Sequence, residues 1–187
     1  TIDSIAWASD PLYGWCNKNR KSDGSPYNIY TDGLKIYTTI NPVMQRYAEE
    51  AMQEYMAGHL QPAFDRERLA RGGDPFSPSI SADQRKKILD RAMRQSERWR
   101  LSKEDGLSDE EIRSQFHRKT KMQVWSWRGT RDTVMTPLDS IRYMKGILRS
   151  GFVAMNPHNG YVLAYVGDIN FSQFQYDMVS DGRRQTG

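Results

Sequence analysis

The chain has 187 residues, enough for one domain or two small ones, and its single cysteine, Cys16, excludes an internal disulfide and a cysteine-based zinc site. Counted with glycine and without tyrosine, the apolar fraction is about 39%, below the usual 45 to 50%, so we expect a small core with solvated parts. The 27 basic and 23 acidic residues give a net charge of +4. The sequence contains no run of about 18 apolar residues that would predict a membrane span.

The positive charge is concentrated in one stretch. Residues 85–103 carry a charge of +6, which leaves −2 for the rest of the chain. The basic residues are Arg85, Lys86, Lys87, Arg91, Arg94, Arg98, Arg100 and Lys103. Such a face can bind nucleic acid, anionic lipid or another anionic polymer, but a charge run on a helix is usually its solvated side. We favour the solvated face.

The first third of the chain predicts a lead-in, a strand and a helix. Residues 1–33 are rich in turn-forming pairs, and residues 34–40 alternate apolar and polar side chains as a half-buried strand does. Asn41 and Pro42 fit the N-cap and first position of a helix, which continues to about residue 59. One stripe of that helix is apolar: Met44, Tyr47, Ala48, Ala51, Met52, Tyr55 and Met56. Pro62 is expected to kink or end the helix.

The middle of the chain predicts polar helices. Residues 71–81 are typical of a loop, and Ser81 with Gln84 has the spacing of a capping box that opens a basic helix to about residue 101. Ser108 and Glu111 repeat this spacing before a short helix. We interpret residues 60–120 as a solvated helical excursion in which the basic helix makes only a shallow contact.

The last third predicts two hairpins around a helix. Residues 122–127 alternate and are broken at Arg128-Gly129, which indicates a hairpin; Thr136-Pro137 then caps a helix that should end at Gly151. Residues 152–155 and 161–166 form a second hairpin with two apolar faces. The fold class is therefore α+β: a small mixed sheet with packed helices and a helical insertion, followed by this hairpin.

Candidate chemistry is sparse in the sequence. His59, His117 and His158 lie in three separate predicted elements, which argues against a metal site. The acids at 49–50 and 109–111 fit helix dipole roles better than paired acid and base catalysis. Three tryptophans could stack on bases or sugars or pack in the core: Trp99, Trp125 and Trp127. We therefore assign no catalytic, cofactor-binding or metal-binding residue and expect no cofactor.

Three sequence blocks occur in the order found in one family. The first runs from Asp32 to Pro42 with Gln45 and residues 48–51, the second is Trp125-Ser-Trp-x-Gly129 with residues 132–142, and the third spans residues 151–167 and 182–187. Together they resemble class A penicillin-binding proteins, particularly Bacteroidetes-like ones. The blocks are similar to the exit from the glycosyltransferase domain, the following linker and the first strands of the transpeptidase domain.

The resemblance implies a domain order and a role. Residues 1–33 would lead in from a glycosyltransferase domain, 34–135 would form a linker domain with the excursion at about 60–120, and 136–187 would begin an incomplete transpeptidase domain. In the family an Arg-x-x-Gly of this kind precedes the Ser-x-x-Lys motif, so the acylated serine would follow Gly187. The chain would then be a non-catalytic linker of a bifunctional peptidoglycan synthase. The anchor of the parent protein would hold it on the periplasmic side of the inner membrane.

Other functions stay open at this point. The partners implied are the rest of the parent enzyme, peptidoglycan or another cell-wall protein, with no nucleic acid. The alternatives are a basic module for nucleic acid or another anionic polymer, and a partner-docking domain centred on the excursion. We expect the helix at Pro42 to pack on the strands of residues 122–135. The hairpin at 152–166 should be covered on one face by the helix of residues 138–148 and otherwise by self-association, or else the chain should be disordered beyond residue 167.

Overall fold

The computed structural model describes residues 11–182, and the chain divides into two compact units, Thr1–Thr39 and Ile40–Gly187. The first unit contains helix α1 (Pro11–Lys18) and an isolated bridge between Arg20 and Pro26. An ion pair between Lys21 and Asp32, 2.9 Å from Nζ to Oδ2, closes its turns. The predictions for residues 1–10 and 183–187, including most of the last motif of the third block, lie outside the described residues.

The strand predicted at residues 34–40 is wrong. No residue of this segment belongs to a strand, and Tyr37 is 90% exposed. Alternation predicts which side chains could share a face, but a strand also needs a place in a sheet, and within residues 11–182 each of the two sheets consists of one hairpin.

The helix predicted after Asn41 is confirmed and extends further than expected. Helix α2 (Pro42–Tyr55) begins with the Asn41 side chain accepting hydrogen bonds from the next free backbone N–H groups. A π-helical turn (Met56–Leu60) then leads directly into α3 (Gln61–Ala70), and the N–H of Gln61 donates to the carbonyl of Met56, five residues earlier. Pro62 therefore lies inside a continuous helical rod, where the wider turn accommodates its missing N–H.

The middle helices are capped as predicted but divided differently. They are α4 (Ala82–Arg94), α5 (Glu97–Glu104) and α6 (Asp109–Phe116), and the predicted capping boxes open α4 and α6. The basic helix ends before residue 101 because Ser96 breaks it and caps α5, accepting a hydrogen bond from the N–H of Trp99.

The predicted solvated excursion contains the largest fully buried side chains of the described residues. Ile112 and Phe116 are 0% and 1% exposed, and they pack with Met93 and Trp99. Ile141, from the helix that follows, also contacts this cluster. The expectation of a shallow contact is therefore wrong. The polar residues of these helices lie on their outer faces, and each helix contributes one or two large apolar side chains to a common core.

Both predicted hairpins are present. Strands β1 (Thr120–Val124) and β2 (Arg131–Met135) pair antiparallel, and β3 (Phe152–Met155) pairs antiparallel with β4 (Val162–Val166). Between them, α7 (Pro137–Lys145) is capped by Thr136 as predicted but ends at Gly146 rather than Gly151. The α+β class is confirmed, although the antiparallel β1–β2 pair takes the place of the mixed sheet that was expected before the β3–β4 hairpin.

Helix α2 packs on the β3–β4 hairpin and not on β1–β2. Ala48 and Met52 of α2 contact Ala164 and Val166 of β4, so α2 takes the place predicted for the helix at residues 138–148. The chain from 168 to 182 also folds back onto this hairpin, since the N–H of Met178 donates to the carbonyl of Gly167 at 2.7 Å. Disorder directly after residue 167 is therefore not observed. Within residues 11–182, no helix is long and apolar enough to cross a membrane.

Candidate functional site

The side chain of Gln61 joins three segments at the centre of the second unit. Its Nε2 donates to the carbonyl oxygen of Gly146 at 2.9 Å, and its Oε1 accepts from the N–H of Leu148 at 2.8 Å and from Nε1 of Trp127 at 3.3 Å. Gln61 is only 6% exposed, so each of these groups would lack a partner without it. The amide thereby fixes α3 to the end of α7 and to the turn after β1.

An aromatic cluster lies beside this amide. Trp125, Ile147 and Phe174 are buried together, with the rings of Trp125 and Phe174 edge to face at 5.5 Å between centroids. The hydroxyl of Tyr143 donates to the carbonyl of Trp125 at 2.9 Å. The cluster connects the turn of the first hairpin, the end of α7 and the segment after β4.

An ion pair holds the segment after β4 on the same junction. Asp168 has a side chain that is 2% exposed, and its Oδ2 accepts from Nε of Arg149 at 2.6 Å. Arg149 also donates to the carbonyl of Tyr176 at 2.9 Å, and its guanidinium lies 5.0 Å from the ring centre of Phe174. A charge-assisted pair of this kind, partly shielded from water, resists separation of the segments that carry it.

The outer edge of β4 is closed by groups from α2. The N–H of Asn41 donates to the carbonyl of Leu163 at 2.8 Å, and the side chain of Gln45 hydrogen-bonds the backbone of Tyr165. The hydroxyl of Tyr165 donates to Asp177 at 2.6 Å, which lowers the pKa of Asp177 and raises the pKa of Tyr165. We call this whole assembly, centred on Gln61, the junction.

The residues weighed for catalysis have structural partners. Glu111 completes the capping box of α6, and its pKa is lowered by the hydrogen bonds from Ser108. The pKa of Asp109 is lowered by its hydrogen bond with Lys103 and by Arg94. Glu49 accepts a hydrogen bond from Gln45. Cys16 is buried in the first unit, and among the described residues no group of three His, Cys, Asp or Glu side chains converges on a metal position.

The tryptophans considered for stacking are packing residues. Trp99 is 6% exposed, lies against Phe116, and has the guanidinium of Arg94 5.0 Å from the ring centre. Trp125 is 8% exposed in the aromatic cluster with Trp127. Because Trp99 is buried, it is not available for stacking on a base, and the nucleic-acid alternative loses its aromatic component.

The basic run is half neutralised by the chain itself. Arg85 pairs with Asp74, Arg100 pairs with Glu97 and Glu104, and the remaining pairs of the run join Arg94 and Lys103 to acids of α4 and α6. Arg113 pairs with Asp90, and the hydrogen bonds from Arg113 and then Arg94 lower the pKa of Asp90. The other cations of the run form no ion pair within the part of the chain that the structure describes.

Few features of the sequence indicated the junction. Gln45 appeared in the first sequence block, but nothing marked Gln61, and its partners lie some 66 to 87 positions away. A glutamine that follows an apolar helix stripe was the single available signal. Arg149 and Asp168 showed no pattern, because they come together only when the segment after β4 folds back.

Comparison with known proteins shows that one part of the second unit matches a protein family. Residues 71–148 match the family model described as the penicillin-binding protein middle domain. The matched segment contains α4 to α7 with the β1–β2 hairpin, and therefore the core around Phe116 and one side of the junction. Searches of curated proteins and of solved structures found no match. The family match supports the interpretation of the chain as a fragment of a penicillin-binding protein.

Proposed function

We propose that the chain is the linker region of a class A penicillin-binding protein, where it holds the opening strands of the transpeptidase domain at a fixed position relative to the middle domain. The observation that supports this proposal is the junction. The middle-domain match ends at residue 148, and Gln61, Phe174 and Arg149 connect that segment to α3 and to the chain that enters and leaves the β3–β4 hairpin.

The proposed role is positional and not catalytic. A bifunctional parent polymerises glycan at one site and cross-links it at another, and a glycan reaches the second site only if the two are held in a suitable orientation. A junction made of a buried amide, packed rings and a shielded ion pair has few alternative arrangements, which suits this purpose. The parent would act at the periplasmic face of the inner membrane, through its own anchor.

The first test is labelling with a fluorescent penicillin. By the resemblance, the acylated serine follows Gly187, so we expect the purified chain to remain unlabelled and the parent protein to be labelled. Covalent labelling of the folded chain would contradict the proposed position of the chain in the parent, because it would require a nucleophile inside these residues.

The second test separates positioning from folding. In the parent, Phe174→Ser removes a buried ring of the junction, and Phe171→Ser is the matched control because Phe171 is 79% exposed in the same loop. We expect Phe174→Ser to lower the cross-linked fraction of newly made peptidoglycan several-fold, with polymerisation unchanged, and Phe171→Ser to alter neither. Unchanged cross-linking in Phe174→Ser, at a confirmed loss of junction stability, would contradict the proposed role.

A further inference from the structure

The groove between α4 and α7 contains cations that the chain does not neutralise. Lys87 and Arg91 of α4 and Lys145 at the end of α7 line a cavity of about 420 Å³ whose floor includes Ile88 and Ala92. Among residues 11–182, no acidic side chain lines this cavity. Within the described residues, none of the three cations forms an ion pair. We call these three residues the basic patch.

The basic patch differs from the other flank of the same helix. Arg85 and Arg94 also belong to α4, but each of them binds an acidic side chain of the chain itself. Lys87 and Arg91 lie four positions apart on one helix face, a spacing at which like charges destabilise a helix. Within the described residues, no acidic side chain forms an ion pair with these two cations to offset their repulsion.

A second, apolar cavity continues the groove. It has a volume of about 430 Å³ and shares Ala92 and Lys145 with the first cavity. Its apolar lining comes mainly from Ile141, Met144, Ile147 and Phe174. The groove thus has a cationic end and an apolar end, and the two cavities together reach the size of ordinary ligand sites.

We propose that this groove binds a peptide segment of a partner protein in which acidic residues flank an apolar side chain. The acidic residues would pair with the basic patch, and the apolar side chain would enter the second cavity. A peptide is favoured over an anionic membrane surface because the cations adjoin a cavity with an apolar lining, which an apolar side chain can enter. Nucleic acid would be favoured by exposed aromatic rings, and Trp99 of the neighbouring helix is buried.

The proposal does not depend on the assignment of the parent, and selection from a random peptide library tests it. Phage-displayed twelve-residue peptides are selected on the immobilised wild-type chain, and the recovered peptides are synthesised and titrated by fluorescence anisotropy. We expect recovered peptides to share acidic residues beside Leu, Phe or another large apolar residue. Their affinity should fall with added salt, because exposed ion pairs are screened.

Two variants with equal changes of charge localise the site. The patch variant is Lys87→Glu, Arg91→Glu and Lys145→Gln. The control variant is Lys119→Glu, Lys121→Glu and Arg128→Gln, which changes exposed cations outside the groove. We expect the patch variant to bind the selected peptides about tenfold or more weakly, as the loss of three exposed ion pairs implies, and the control variant to bind them nearly as the wild type does.

A variant without a change of charge tests the groove itself. Ala92→Gln places a longer side chain where the two cavities meet, and it should also weaken binding while the thermal melt stays close to that of the wild type. Recovered peptides without acidic residues, an absence of enrichment, or equal binding by the patch variant would overturn the proposal. So would binding to vesicles of 30% phosphatidylglycerol in phosphatidylcholine that the patch variant loses, because the cations would then serve a membrane surface.

Discussion

The side-chain amide of Gln45 forms two hydrogen bonds with the backbone of Tyr165, donating to its carbonyl oxygen at 3.0 Å and accepting from its N–H at 2.8 Å. This is the pattern that a neighbouring strand would provide at the edge of a sheet. A helix side chain therefore closes one edge of the β3–β4 hairpin, and an open edge is where strands of other chains can pair.

Gln45→Leu should expose this edge. The substitution keeps a similar side-chain size and removes both hydrogen bonds to Tyr165 together with the exposed one to Glu49. We expect a loss of about 1 to 2 kcal/mol in the free energy of unfolding, measured by urea denaturation. Gln53→Leu is the control, because Gln53 lies on the same helix and makes one long hydrogen bond of 3.4 Å. Equal losses in the two variants would show that the edge contact contributes nothing particular.

Met52→Asp should detach α2 from the hairpin. Met52 packs against the cluster of Ala48, Ala164 and Val166, where a carboxylate would have no cation to pair with. We expect a loss of roughly 2 to 3 kcal/mol in the free energy of unfolding. Met44→Asp, at a site 38% exposed on the same helix, should cost much less. A melt of Met52→Asp that matches the wild type would contradict the packing of α2 on β4.

Phe116→Ala should show that the middle helices form a true core. The ring is 1% exposed and contacts Trp99 at 6.2 Å between centroids, so its removal should cost about 3 to 5 kcal/mol. Leu101→Ala, at a site 47% exposed in α5, should change stability little. In hydrogen exchange, the amides of α6 should be protected about as strongly as those of α2. Rapid exchange throughout α6 would support the solvated excursion predicted from sequence.

Asp177→Asn should alter the dependence of stability on pH. The pKa of Asp177 is lowered by the hydrogen bond from the hydroxyl of Tyr165 and by backbone N–H groups. The carboxylate therefore stabilises the fold above its unfolded pKa of about 4, and this contribution is lost as the pH falls through the lower folded pKa. The variant should be less stable at pH 7 and lose less stability on acidification.

The alkaline side gives a second readout of the same contact. The pKa of Tyr165 is raised because its hydroxyl donates to Asp177, so this contribution is present below the unfolded pKa of about 10 and is lost above it. Asp177→Asn should reduce that alkaline loss as well. Asp105→Asn, at an exposed position directly after α5, is the control, and unfolding curves from pH 2 to pH 11 measure both limbs. A profile of Asp177→Asn parallel to the wild type throughout would refute the coupling.

Local features of this fold could be read from sequence, and the pairing of distant segments could not. The caps at Asn41, Ser81 and Ser108 depend on residues within three positions, and all were predicted. The apolar stripe of α2 showed which face would be buried but not that β4, about 120 positions away at Tyr165, would cover it. Residues 34–40 had the pattern of a strand but are not part of one, and Gln61 looked like any other polar helix residue.

The π-helical turn at Met56–Leu60 allows one continuous helical rod to contact both the β3–β4 hairpin and the end of α7. Along the rod, Ala48, Met56 and Gln61 are buried and Met52 is partly buried, so these positions are spaced by four, four and then five residues. The wider turn thus accommodates one extra residue without rotating the helix. The face of the helix that packs on the β3–β4 hairpin therefore continues as the face that contacts Gly146. Removing Gly58 would leave an ordinary α-helical spacing between Met56 and Gln61, with the amide still aimed at its partners. Removing a residue after Gln61 would not be compensated by the π-helical turn in this way.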